Sequence, residues 1–138
     1  MMNKVRLVGV EKNDVLPIFN YLTEMADESA RVPVDFQRAA VNFWSIMNGA
    51  SVYVAERDGA IVGSLALTLS PLMWYGPADA VGYFDEWFVC RNGYHAGHDL
   101  IKRAVADAGG KPILIRRLTT RGADILGYNV VGKITILG

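Results

Sequence analysis

The 138-residue sequence contains one cysteine, Cys90. A single thiol closes no internal disulfide, which excludes a disulfide scaffold and fits a reducing compartment. Net charge is also missing, because 14 Lys and Arg balance 14 Asp and Glu. A protein built to coat nucleic acid draws its affinity from phosphate neutralisation, so no nucleic-acid partner is expected. No apolar run reaches the length of a membrane span. The most apolar stretch, 60–76, is interrupted by Ser64, Thr68, Ser70 and Pro71. The first ten residues show neither a long apolar core nor a small-residue cleavage site, so a soluble cytoplasmic protein is the expectation. What is abundant is apolar surface. Hydrophobic residues make up 51% and charged residues 20%, a balance that excludes disorder and predicts one domain over 1–138.

Charge is unevenly spread. Acids gather in 11–35 (Glu11, Asp14, Glu24, Asp27, Glu28, Asp35) and bases in 111–138 (Lys111, Arg116, Arg117, Arg121, Lys133). Two solvated faces explain this; an anion-tolerant pole in the C-terminal half is the sharper alternative.

Val5–Val10 predicts a first strand. Asn13 or Asp14 is placed to cap a helix with Pro17 in its first turn, and Val15, Ile18, Phe19, Leu22, Met25 and Ala26 follow at helical spacing. Asp35 caps a second helix with a stripe of Phe36, Ala40, Phe43, Trp44 and Met47, stopped at Gly49. The three tryptophans, Trp44, Trp74 and Trp87, are assigned mostly to the core; Trp74, beside Tyr75 in the Pro71–Asp79 loop, is the exception.

Ser51–Arg57 and Ala60–Ser70 then form strands around the hairpin dipeptide Asp58-Gly59. In the second, Ile61, Gly63, Leu65, Leu67 and Leu69 alternate with Val62, Ser64, Ala66, Thr68 and Ser70. Ala80–Cys90 is an aromatic-rich strand. The turn Asn92–Gly97 leads into a helix carrying Leu100, Ile101, Ala104, Val105 and Ala108, ended by Gly109-Gly110. Pro112–Arg117 predicts a strand, Thr119–Leu126 a short helix, and Tyr128–Leu137 one or two final strands. This order implies an α+β fold: a mixed, mainly antiparallel sheet flanked by helices.

The strand-to-helix junction carries the clearest ligand signal. Gly93 and Gly97 permit close approach of the backbone, and a helix N-terminus offers unpaired N–H groups to an anion such as a diphosphate. Asp99 in the first turn opposes that charge, while His95 and His98 offset it when protonated. Nearby, Asp85 and Glu86 fall on opposite faces by period two. Glu86 shares its face with Phe84 and Phe88, and Asp85 with Tyr83 and Trp87. A carboxylate among aromatic rings loses solvation and becomes a better base, so the one facing a cleft is the catalytic candidate. A strand-edge salt bridge with Arg57 or Arg91 is the plain alternative. Cys90, His95, His98 and Asp99 lack a recognised zinc spacing, so no metal is expected, and no third group orients a Cys90–His pair.

The order of elements, the Val52–Leu69 hairpin and the Asn92–Gly97 turn resemble the GNAT superfamily of acyl-CoA-dependent N-acetyltransferases. Its pyrophosphate signature, Arg/Gln-x-x-Gly-x-Gly/Ala, falls on Asn92-Gly93-Tyr94-His95-Ala96-Gly97. His95 stands where glycine is usual and Asn92 where Arg or Gln is usual, with Arg91 next in line as the base. Glu86-Trp87-Phe88-Val89 is similar to the family's acidic-x-x-Val strand ending, and Leu126-Gly127-Tyr128 resembles its Leu-Gly-Phe. The tyrosine acid usual four residues before that glycine is replaced by Ala123, which leaves Tyr128, Tyr94 and Tyr83 as substitutes.

The resemblance implies acetyl-CoA held by Phe88, Val89, Arg91, Asn92, Gly93, Tyr94, His95, Ala96 and Gly97. It makes the Val89 N–H the donor to the thioester and Glu86, Asp85 and Tyr128 the catalytic candidates. The acceptor is then a small-molecule or protein amine. The alternatives are a catalytically inactive GNAT-fold module with a protein-binding or structural role, and an unrelated small α+β binding protein. An unpaired edge strand near the C-terminus favours a homodimer.

Overall fold

A computed structural model describes residues 2–8, 12–29, 35–72, 77, 79–116, 124–125, 128–129 and 134–137. The elements are β1 (Lys4–Val8), α1 (Lys12–Ser29), α2 (Phe36–Gly49), β2 (Ser51–Arg57), β3 (Ala60–Pro71), β4 (Val81–Cys90), α3 (Ala96–Asp107), β5 (Ile113–Arg116), β6 (Asp124–Ile125), β7 (Tyr128–Asn129) and β8 (Ile134–Leu137). Six strands form one sheet in the order β1-β2-β3-β4-β5-β8. All neighbours are antiparallel except β4 and β5, which run parallel. The expected mixed, mainly antiparallel α+β architecture is the one observed.

Strand alternation divides the core. Tyr53, Ala55, Leu65, Leu67, Ile113 and Ile115 pack under α3 through its Ala96, Leu100, Ile101 and Ala104. On the opposite face Val8, Val52, Val54 and Ala66 meet Ile18 of α1 and Phe43 and Met47 of α2. The β2–β3 hairpin turns through Asp58 and Gly59, both at positive φ (54° and 80°), as its Asp-Gly dipeptide requires.

Several sequence expectations are corrected. Helix α1 starts at Lys12, so Asp14 lies in its first turn and binds the Arg6 guanidinium at 2.8 Å instead of capping. Pro17 sits inside α1, beyond its first turn. Helix α2 is capped as expected, Asp35 accepting from the Arg38 N–H at 3.1 Å. Only part of its stripe is core, however: Phe36 and Trp44 are 58% and 51% exposed, because Phe43, Ile46 and Met47 already fill the contact with the sheet. Asp124 and Ile125 pair with Asn129 and Tyr128 as strands where a helix was expected; cross-strand pairing overrides local propensity there. The rest of that predicted helix lies outside the described residues, as do Trp74, Tyr75, Ala123 and the side chains of Arg116 and Tyr128.

Candidate active site

Two register shifts shape the middle of the sheet. In β3 the shift falls between the partners of Ala55 and Glu56, so Val62 turns to the α3 face and Ile61 to the other. In β4, Ala66 faces Trp87 while Leu67 faces Asp85, which makes Glu86 the extra residue of a bulge. Strict period two therefore fails here. Trp87 shares the α1/α2 face with Glu86, stacking on Phe43 at 5.7 Å between centroids and donating from Nε1 to Ser64 Oγ at 2.9 Å. Phe88 and Cys90 pack under α3 with Tyr83. Asp85 is 6% exposed, whereas Glu86 is exposed and its carboxylate accepts from the Thr68 hydroxyl at 3.0 Å. The bulge, not an aromatic pocket, sets the Glu86 environment.

The bulge also changes which amides face β5. The Tyr83 N–H donates to the Pro112 carbonyl at 2.9 Å, toward β5. Beyond the bulge, the Arg91 N–H donates to the Val62 carbonyl at 2.8 Å, toward β3. Alternation from Arg91 turns the Val89 N–H toward β3 and those of Phe88 and Cys90 toward β5. The Val89 carbonyl accepts from the Tyr21 hydroxyl of α1 at 3.0 Å. One inserted residue thus inverts the sequence of inward and outward amides, and by this alternation the Val89 N–H lies on the β3 side.

Among the described residues β4 pairs with β5 at Tyr83–Ile113 and Phe84–Leu114, while its pairing with β3 runs on to Cys90. Beyond the end of β4 lies the start of α3. The turn runs through Gly93 (φ 86°) and reaches His95, the N-cap residue, at φ 56° and ψ 24°. A non-glycine residue in the left-handed region costs on the order of 1 kcal/mol. The exposed His95 makes no side-chain capping hydrogen bond, so its own side chain leaves the first N–H groups of α3 uncovered. The approach of α3 to the sheet depends on Gly63. A Cβ there would lie 2.8 Å from Ala96 Cβ and 3.0 Å from Leu100 Cδ1. At Gly97 a Cβ would meet Phe88 Cζ at 3.4 Å and Cys90 Sγ at 3.6 Å, so Gly97 lies directly over the side chains at the end of β4.

The nearby bases have specific partners. Arg91 reaches Glu24 of α1 at 3.0 Å and lies 5.5 Å from the Tyr21 ring centroid. Arg57 donates from Nε to Asn3 Oδ1 at 2.9 Å and from Nη2 to the Tyr94 carbonyl at 3.1 Å, with its guanidinium 5.0 Å from the Tyr94 ring centroid. Asn3 Nδ2 donates to the Tyr94 carbonyl at 2.7 Å and to Asp99 Oδ2 at 2.8 Å. His98 Nδ1 lies 3.6 Å from Asp99 Oδ1. The Glu86 carboxylate takes its hydrogen bond from Thr68. Asn92 and Gly93 are exposed, while Tyr94 is half-buried against the α3 core. Among the described residues no three of His, Cys, Asp and Glu group as a metal site, and no helix is long and apolar enough to cross a membrane. The contributions of Asn3, Tyr21, Gly63 and Thr68 join residues distant in the chain, so spacing held no signal for them.

No family model matches the chain, and no curated protein matches it in sequence. Solved structures do. The "histone acetyltransferase HPA2 and related acetyltransferase" of Corynebacterium glutamicum is similar with a TM-score of 0.66 and 15% identity, over 99% of this chain and 95% of that one. A GNAT family acetyltransferase of Staphylococcus aureus gives 0.65 and 14%, over 93% and 97%. A ribosomal-protein-alanine N-acetyltransferase of Brucella melitensis gives 0.57 and 14%, over 80% and 74%. The chain has the fold of the GNAT acetyltransferases.

Proposed function

We propose that this protein transfers an acetyl group from acetyl-CoA to an amine of a small molecule or a protein. The observation that carries the reading is that β4, among the described residues, runs on past its pairing with β5 at Phe84–Leu114 toward an α3 N-terminus that the His95 side chain does not cap. An extended, hydrogen-bonding carrier arm fits the first feature and a diphosphate fits the second. The cradle is also open. Among the described residues nothing stands within 4 Å of a Cβ built at Gly93, and the three atoms nearest a Cβ at Gly97 belong to the sheet side chains Phe88 and Cys90.

In this reading the α3 amides hold the diphosphate, and the Phe88 backbone on the β5 side of β4 orients the carrier arm. Bound acetyl-CoA supplies an acetyl group activated as a thioester. Glu86, reachable from solvent and oriented by Thr68, takes the proton from the acceptor ammonium so that the amine attacks as a free base. Asp85, buried on the α3 face, shapes the sheet beneath instead of meeting the acceptor.

One observation favours a second reading, a GNAT-fold module that binds without turning over. Arg91, the base nearest the signature position, is engaged by Glu24. Two measurements decide. Acetyl-CoA at a hundredfold excess over its Kd stabilises the native state by about 2.7 kcal/mol, so the melting temperature should rise. Thiol release from acetyl-CoA with a panel of amines should then accompany binding. Binding without release supports the module; no thermal shift at millimolar acetyl-CoA removes the coenzyme.

A further inference from the structure

We infer that Arg57 and Asn3 are positioning residues that hold His95 in its left-handed conformation and thereby set the α3 amides for the coenzyme, a step that rests on the function proposed above. Asn3 directly precedes β1, and Arg57 ends β2. Lys4 pairs with Glu56, so the two residues are neighbours at the sheet edge. Arg57 alternates with Tyr53 and Ala55, and Asn3 with Val5, which puts both on the face that α3 covers.

Together they grip the turn on either side of His95. Before it, the Tyr94 carbonyl accepts from both Asn3 Nδ2 and the Arg57 guanidinium, at 2.7 and 3.1 Å. That carbonyl lies in the same peptide plane as the His95 nitrogen, so fixing it fixes the plane about which the His95 φ is measured. After it, Asn3 Nδ2 also holds the Asp99 carboxylate in the first turn of α3, at 2.8 Å. The Arg57 guanidinium is itself oriented by Asn3 Oδ1 and by the Tyr94 ring. The His95 side chain makes no capping bond that would hold its own backbone at φ 56°. Elsewhere a glycine adopts this conformation freely; here a brace from the first two strands replaces that freedom.

The test pairs loss with rescue. Arg57→Gln and Asn3→Ala should each raise the Kd for acetyl-CoA about tenfold. Adding His95→Gly should return either variant to within about threefold of the original protein, because glycine needs no brace at positive φ. A general loosening of the fold would not be repaired at that single position. In steady state the KM for acetyl-CoA should rise with kcat little changed. Original affinity in Arg57→Gln, or failure of His95→Gly to restore it, overturns the inference. A protein that binds no acetyl-CoA at all sinks the proposed function instead. The brace is then read without ligand: the effects of Arg57→Gln and His95→Gly on the melting temperature should be non-additive, and strict additivity overturns it. Asn3→Ala supplies the same cycle should Arg57→Gln fail to fold.

Discussion

The Thr68 hydroxyl and the Glu86 carboxylate meet at 3.0 Å across the bulge of β4, on the sheet face that carries α1 and α2. The bulged residue would otherwise be an unpaired acid at a strand surface. Loss of a general base typically costs about 10²–10⁴-fold in rate. Glu86→Gln should therefore lower kcat within that range and leave the Kd for acetyl-CoA unchanged. Thr68→Val, which removes only the orienting donor, should lower kcat about tenfold or less. Stopped-time thiol release together with calorimetric binding separates the two effects, and an active Glu86→Gln assigns the base elsewhere.

Tyr53 links stability to alkaline pH. Its hydroxyl donates to Asp107 Oδ2 at 3.0 Å, and burial, followed by that bond, pushes its pKa from 10.0 up to about 12. The fold thus favours the neutral phenol. Its contribution is complete below pH 10 and disappears as pH rises from about 10 toward 12, on the order of 2 kcal/mol in total. Urea denaturation across that window should show the loss, and Tyr53→Phe should flatten the slope. Asp107 behaves oppositely: Arg103, and then Tyr53, hold its carboxyl below the ordinary range, so its contribution is present at neutral pH and lost as acid titrates it.

Ser64, fully buried, donates to the Tyr53 carbonyl and accepts from the Trp87 indole, both at 2.9 Å. Ser64→Ala leaves that indole N–H without the oxygen and should cost about 1–3 kcal/mol. Trp87→Phe in the same chain removes the orphaned donor. The double variant should therefore lose about 1 kcal/mol less than the two single losses added together, measured by chemical denaturation.

Gly63 and Gly97 should respond differently to the same methyl group. At Gly63 it collides with the Ala96 Cβ, which cannot move without shifting α3, and crowds Leu100 Cδ1, so Gly63→Ala should cost about 1–3 kcal/mol and weaken acetyl-CoA binding. At Gly97 it makes ordinary contact with Phe88, and Gly97→Ala should stay within about 1 kcal/mol of the original stability. Equal losses at both would mean that α3 does not approach the sheet as described.

Elements governed by local pattern were legible in the sequence. The Asp35 cap, the Asp58-Gly59 turn, the buried stripe of Leu100, Ile101 and Ala104, and the bounds of β2 all follow from near neighbours. The bulge at Glu86 was not legible, because a strand with an inserted residue looks like any other strand until its partner is known. Trp44 illustrates the same difficulty on a helix: its spacing fits the core stripe, yet Phe43 and Met47 occupy the contact.

The amino-acid order by itself determined the three helices α1, α2 and α3, the strands that precede β6, the Asp58-Gly59 turn and the glycine-bearing junction before α3, since each depends on propensities and periodicities within a few residues. Only the tertiary structure decided which acid of the Asp85–Glu86 pair is exposed, which β4 amides lie on the β5 side, and which distant side chains hold His95 at positive φ. Those depend on register between strands and on contacts between residues far apart in the chain. Register is settled by the packing of both sheet faces at once, and no local run of residues encodes it.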